Sequence, residues 1–410
     1  MEDIPALKIC TMREPLSNDF FTVISLSKTS TFLKFYDLES GFVYFKNHRI
    51  NLKTSIKEKY PITKFFSLME KINFKSEFKN PRVFHLFYEL GHIINNKNFI
   101  TENDILAIDL QYLKESPYNL ISPGKDFKIK NQRSVAYKEY KKKFFEGKKQ
   151  ILEGNSYQLN LTFPFEFSLS RAQSFDELVG KIWDKKDDRG AYAHASFIPT
   201  LNKIFISNSP ECLFQIKKRK SSLILWSMPI KGTLKVENKN DYGKAWDSLK
   251  KCPKNQAELF MISDLLKNDL SKIEKPNAKI IFRKKPLRVP KILHQYSLIS
   301  IELSQKVHLA KIVLNLFPGG SVIGAPKKRS MEILFEIESK IPRAFYCGST
   351  IILYKSLFAG SINIRSVTLD IKTEKLVYGS GGGVTLLSRP REEFAEMNLK
   401  FQSFLKNILN

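Results

Sequence analysis

Segments of strand character and segments of helix character arrive in blocks along this 410-residue chain, and that order predicts the α+β class. Strand-length apolar and aromatic pieces dominate between residues 157 and 226. Amphipathic stretches of helical period occupy 137–153, 255–272 and 390–409. No βαβ alternation, internal repeat or low-complexity tract runs through the sequence. With 42% apolar and 12% aromatic residues the chain is globular, and its length suffices to bury a large core.

Residues 1–120 alternate aromatic strand-like pieces, such as Phe32-Leu33-Lys34-Phe35-Tyr36 and Phe42-Val43-Tyr44-Phe45, with polar turns. Helical stretches are expected near 83–95 and 104–113. Ser122-Pro123-Gly124-Lys125-Asp126 reads as a linker. The helix at 137–153 leads into a strand at 157–162, and a further strand is expected at 203–207. The run Leu223-Ile224-Leu225-Trp226, bounded by Pro and Gly, reads as a buried strand. Strands return at 350–354 and 361–369 before the last helix, whose start is marked by Ser388 and Pro390.

Composition narrows the function classes. No 18-residue apolar window predicts a transmembrane helix, and Met1-Glu2-Asp3-Ile4-Pro5 carries no secretory pattern. Cys10, Cys212, Cys252 and Cys347 are scattered without a CxxC pair, which fits a reducing cytoplasm and neither a zinc site nor a disulfide framework. A net charge of +26 is the footprint of a nucleic-acid binder, yet the basic residues are spread along the chain. A solvated lysine-rich surface is therefore expected, with no nucleic acid and no membrane as partner. Such a surface draws in a dianionic substrate or an acidic protein.

Candidate chemistry sits in four places. Lys231, in Pro229-Ile230-Lys231-Gly232-Thr233, closes the apolar run, where partial desolvation would favour the neutral amine. Glu393, Glu396 and Lys400 fall on one face of the last helix, and Glu258 is a third carboxylate in an apolar setting. Two or three convergent carboxylates with open positions suit Mg²⁺. In Ser361-Ile362-Asn363-Ile364-Arg365, strand alternation puts Asn363 and Arg365 on one face, so that Arg365 offers a fork matching a carboxylate. Gly381 and Gly383 would let bare backbone amides approach a ligand.

In order and spacing these residues form a longer series with Ala257–Asp269, His294-Gln295-Tyr296-Ser297, Phe317–Lys327 and Gly381-Gly382-Gly383. Over roughly 130–406 the series resembles the chorismate-utilising enzymes, and within them most closely the 4-aminating aminodeoxychorismate synthase branch. The resemblance implies two large antiparallel β-sheets facing each other, with helices outside and the site between. It implies a catalytic domain over 130–410 and a divergent N-terminal portion, 1–120, packed on the same sandwich. Glu258 and Glu396 are then expected to bind magnesium, with Glu393 assisting, so that the metal anchors the ring carboxylate of chorismate. Arg365 and Tyr346, with Lys400 close by, would hold the enolpyruvyl carboxylate, and Ser321 and Thr233 would add hydroxyl donors beside Gly232. Glu211, in Ser209-Pro210-Glu211, matches the general acid that protonates the departing C4 hydroxyl. Lys231 matches the lysine that attacks C2 in the 4-aminating branch, where anthranilate synthases usually carry alanine.

Two further positions refine the expectation. Gln158 stands where the isochorismate and salicylate synthases carry a lysine base, so hydration chemistry is not expected. His294 matches a histidine that assists pyruvate elimination in the anthranilate makers; here a substrate contact and a satisfied core histidine remain open. Ile323, Ala359-Gly360 and Ile352 depart from the usual pattern without removing Lys231 or a carboxylate. The chain has no Gly-x-Cys-x-Gly elbow, so a separate glutamine amidotransferase subunit is expected to supply ammonia, and no fused lyase is expected after Asn410. The alternatives are an anthranilate synthase large subunit and, from another class, a basic nucleic-acid binder with decayed motifs.

Overall fold

The structure is a computed structural model that describes residues 19–25, 31–97, 99–120, 127–170, 174–183, 189–236, 241–289 and 292–409. The linker expected at 122–126 lies outside the described residues, as does Cys10.

Antiparallel pairing joins the strands into two layers. In the first, Gln158–Leu169 pairs with Lys375–Val384, and the ladder continues through Ser366–Asp370, Lys203–Ser207, His194–Ile198 and Phe21–Ser25. In the second, Phe32–Tyr44 pairs with Ala107–Tyr118, followed by Phe78–Leu86, Ser349–Lys355, Leu357–Ile362, Cys212–Lys218, Leu223–Met228 and Ile292–Leu303. Ile230–Lys235 and Lys279–Val289 both pair with this last strand. The layers are not separate sheets, because Phe21–Ser25 also pairs with Phe32–Tyr44 and carries the hydrogen-bonded ladder from one into the other.

The layers face each other through aromatic rings. Phe205 of the first lies 5.7 Å from Phe87 and 5.0 Å from Phe345, both of which belong to segments of the second. Helices cover the outside. On Pro390–Leu409, Phe401 and Phe404 lie 4.3 Å from Phe165 and 4.2 Å from Tyr378 of the first layer. Tyr137–Leu152 packs beside that helix, with Tyr140 5.2 Å from Phe394. Pro253–Ser271 opens on a proline in its first turn, where the missing N–H costs nothing, and rests on the second layer through Ser263 and Ser297, 2.7 Å apart. This is the α+β sandwich with outer helices that the sequence predicts.

Three expected elements differ. Residues 83–95 are the end of the strand Phe78–Leu86 followed by the short helix Leu90–Ile94, and 104–113 falls in the strand Ala107–Tyr118. Val83 to Leu86 and Ala107 to Leu110 are buried on both faces of a layer, so their apolar runs show no period of two and mimic a buried helix. Residues 361–369 do not form one strand. Leu357–Ile362 ends before Asn363, and Ser366–Asp370 belongs to the opposite layer.

Candidate active site

A cavity of about 1040 Å³ opens between the two layers, and backbone geometry explains its shape. In Ile230–Lys235, Lys231 lies opposite Gln295 and Thr233 opposite His294, so Gly232 is an extra residue in the ladder. Its φ is +76°, a left-handed conformation that only glycine adopts without strain. The bulge re-aims Lys231 into the cavity, where its Nζ stands 3.4 Å from the carbonyl oxygen of Ser321. Ser321 itself sits in the 3₁₀ turn Gly320–Val322 on the opposite wall.

Glu211 faces the same space and is only 5% exposed. The Ser209 hydroxyl donates to the Ile362 carbonyl at 2.5 Å, and the Glu211 amide donates back to Ser209 Oγ at 3.1 Å, which locks the acid to the neighbouring strand. Burial raises the Glu211 carboxyl above its ordinary value, and the Lys231 charge and Ser321 hydroxyl only partly offset this. His294 lies on the wall, hydrogen-bonded to the Gly232 backbone; burial, helped by the Arg365 charge, lowers its imidazole to about 4. It is neutral at physiological pH, which fits a positioning contact on the bulge.

Arg365 lines the cavity, but by a different route from strand alternation. It occupies a turn between two strands with φ +51°, while Asn363 is fully buried and does not line the cavity. Tyr346 borders the same space, and its ring packs on Gly379 so closely that a Cβ there would enter the ring. Burial keeps its phenol well above the usual range, hence neutral.

Another wall is formed by Gly381, Gly382 and Gly383, near the end of the strand Lys375–Val384. Gly381 is required by its neighbour strand, since a Cβ would strike the Leu161 carbonyl. At Gly383 a Cβ would strike the Gln158 amide, whereas at Gly382 it would face Glu393 Oε2 at 3.6 Å. Gln158, on the strand paired with the glycine strand, is fully buried, with no hydrogen-bond partner for either amide atom among the described residues.

Three carboxylates converge beside these glycines. Glu258 and Glu393, from different helices, are 8% and 3% exposed, and Glu396 lies nearer solvent. Burial raises the Glu258 carboxyl, with Lys231 and Lys254 opposing it, while Lys400 holds Glu396 below its ordinary value. Lys400 donates to Glu396 and to the Gly381 carbonyl, each at 2.9 Å. Lys254, absent from the sequence-level candidates, lines the cavity, pairs with Glu393 and stands 3.9 Å from Glu258 Oε1. The signal was available: Lys254 and Glu258 are four residues apart on a helix opened by Pro253. Among the described residues no three carboxylate, histidine or cysteine groups already stand in a ligating cluster. The donor set nevertheless fits a hard cation, since buried carboxylates here are balanced by ammonium groups at the same spot. Thr233 lies in the bulged strand one ladder step beyond Lys231.

The cavity therefore gathers a lysine, a buried acid, a neutral histidine, an arginine and three carboxylates. Comparison with known proteins gives this set a family. The family model of the chorismate binding enzymes matches residues 41–406. The chain is 30% identical over 329 residues to aminodeoxychorismate synthase component 1 of Escherichia coli, covering 78% of this chain and 68% of that protein. It is 33% identical over 261 residues to a probable chloroplastic aminodeoxychorismate synthase of rice, covering 63% of this chain and only 28% of that longer protein. In fold it matches anthranilate synthase component I of Streptococcus pneumoniae, with a TM-score of 0.74, 16% identity, and coverage of 99% of this chain and 93% of that one. No helix among the described residues is long and apolar enough to cross a membrane. The chain belongs to the family of chorismate binding enzymes.

Proposed function

We propose that the chain aminates chorismate at C4, giving 4-amino-4-deoxychorismate, with ammonia delivered by a glutamine amidotransferase subunit. The observation that carries this reading is the Gly232 bulge, which sets the Lys231 amine into a cavity it shares with the buried acid Glu211. The likeness to the Escherichia coli component 1 supports the same branch.

In this reaction the lone pair of the Lys231 amine forms a bond to ring C2. The ring double bonds shift, and the C4–O bond breaks as Glu211 donates its proton, releasing water. Ammonia then bonds to C4, the double bonds shift back, and the C2–N bond breaks, so Lys231 leaves and regains its proton. The sum is chorismate plus ammonia giving aminodeoxychorismate plus water. Arg365 offers a planar fork to the enolpyruvyl carboxylate, with the neutral Tyr346 beside it. Glu258 and Glu396, assisted by Glu393, would hold magnesium, which supplies charge neutralisation for the ring carboxylate. His294 keeps the bulge in place as a neutral donor to Gly232.

The test incubates the purified chain with chorismate, Mg²⁺ and an ammonium salt, with and without an aminodeoxychorismate lyase. A product that keeps its enolpyruvyl group, and yields p-aminobenzoate only with the lyase, is expected. Fluorescent anthranilate formed directly would replace this reading with 2-amination.

A further inference from the structure

We propose that Lys254 is a built-in counter-ion of the carboxylate site, and that it makes divalent-cation binding there conditional on substrate. The inference rests on the reading that Glu258, Glu393 and Glu396 hold magnesium.

Glu258 and Glu393 reach the same point from two helices, and both are nearly withdrawn from water. Two buried like charges repel strongly unless a cation stands between them. Lys254 is that cation: its Nζ pairs with Glu393 Oε1 and lies 3.9 Å from Glu258 Oε1. A metal taking both carboxylates must displace this ammonium, which stays tethered nearby and repels it.

The charge of the whole cavity sharpens the point. Setting aside the reacting pair Lys231 and Glu211, four cationic side chains (Lys254, Arg365, Lys400 and Lys406) line it against three carboxylates, Glu258, Glu393 and Glu396. A divalent cation alone would raise that excess of one to three, whereas a cation arriving with a dianion leaves it at one. A substrate carboxylate also gives the displaced Lys254 a new partner. Metal and substrate therefore favour each other's binding, and by linkage the coupling is equal in both directions.

The test uses Mn²⁺ as a spectroscopic stand-in. Free Mn²⁺ is followed by electron paramagnetic resonance during titration of the full chain, with and without chorismate and in the absence of ammonium. Chorismate is expected to tighten Mn²⁺ binding to the native chain by about 10-fold or more, within the usual range of such couplings. Lys254→Met should bind Mn²⁺ about 10-fold more tightly than the native chain without chorismate, and the further gain on adding chorismate should shrink. Lys254→Arg keeps the charge and should behave as the native chain does, which separates loss of charge from misfolding. Equal or weaker Mn²⁺ binding by Lys254→Met would overturn the proposal while leaving the metal site intact. No Mn²⁺ binding by the native chain, with or without chorismate, would overturn the metal reading and this inference together.

Discussion

The gap between the two layers is built in two opposite ways. Around Phe205 rings bridge it: Phe205, Phe87, Phe345, His85 and His194 stack across it, leaving a smaller cavity of about 450 Å³ alongside. A chain of hydrogen bonds runs through it, His85 to Thr350 and Ser196 at 2.9 Å each, then Ser196 to Thr22 at 2.7 Å and Thr22 to Tyr112 at 2.9 Å. Around Lys231 the gap is hollow, walled by Gly232 and by Gly381 to Gly383, with charged groups projecting inward. Large rings make one region a rigid spacer, and missing side chains make the other a reaction vessel. The spacer should govern stability and the vessel turnover, a division that substitutions can break.

The largest effect is expected in the vessel. Lys231→Ala should lower normal turnover by about 10³-fold or more, the scale on which nucleophiles are lost, with little change in melting temperature. Steady-state amination with ammonium reads the first and calorimetry the second. Glu211→Gln should cost about 10²- to 10⁴-fold in kcat, as removal of a general acid does. Because Glu211 must be protonated to donate, and burial raises its carboxyl, native kcat should fall as pH rises through that raised value. In Glu211→Gln this falling limb should disappear.

Phe205→Ala reverses the pattern. Emptying the ring stack should cost about 3–5 kcal/mol in denaturant unfolding, while KM for chorismate stays near the native value. A large rise in KM would show that the spacer shapes the vessel directly. Gly383→Ala sharpens the boundary between the regions, since its Cβ would push the Gln158 amide aside. It should raise KM several-fold, with a small loss of stability.

The smallest effect is a pH dependence of the spacer. Burial holds His194 at about 4 and His85 well below its ordinary value, so both are neutral when folded. The unfolded chain gains these protons below about pH 6.5, so the stabilisation is complete above that pH and lost as pH falls towards 4. The melting temperature should drop over that window, and less so in a His194→Gln variant that still folds.

Long, strongly periodic elements were legible in the sequence. The helices Tyr137–Leu152 and Pro390–Leu409 lie within a residue of expectation, because each keeps one solvent face. The strands Phe78–Leu86 and Ala107–Tyr118 were not, since burial on both faces removes the alternation that marks a strand. Within the vessel, Lys231, Glu211 and the carboxylates expected from their motif line one cavity, yet Arg365 reaches it by a left-handed turn that its neighbours do not signal. Gln158 lies on the strand paired with the glycine strand, its amide beside Gly383, and is not among the residues that line the cavity. Lys254 was missed because its partner on the last helix, Glu393, is 139 residues away and only folding brings them together.

The central claim is that Lys231 acts as a nucleophile in the glycine-walled cavity. It is tested most directly by peptide mass spectrometry after incubating the chain with chorismate and Mg²⁺ in the absence of ammonia. The account predicts that the peptide bearing Lys231 gains the mass of chorismate less one water, and that added ammonium discharges this adduct as aminodeoxychorismate. Formation of aminodeoxychorismate by a chain whose Lys231 stays unmodified at every time point, and whose Lys231→Ala variant turns over normally, would contradict it.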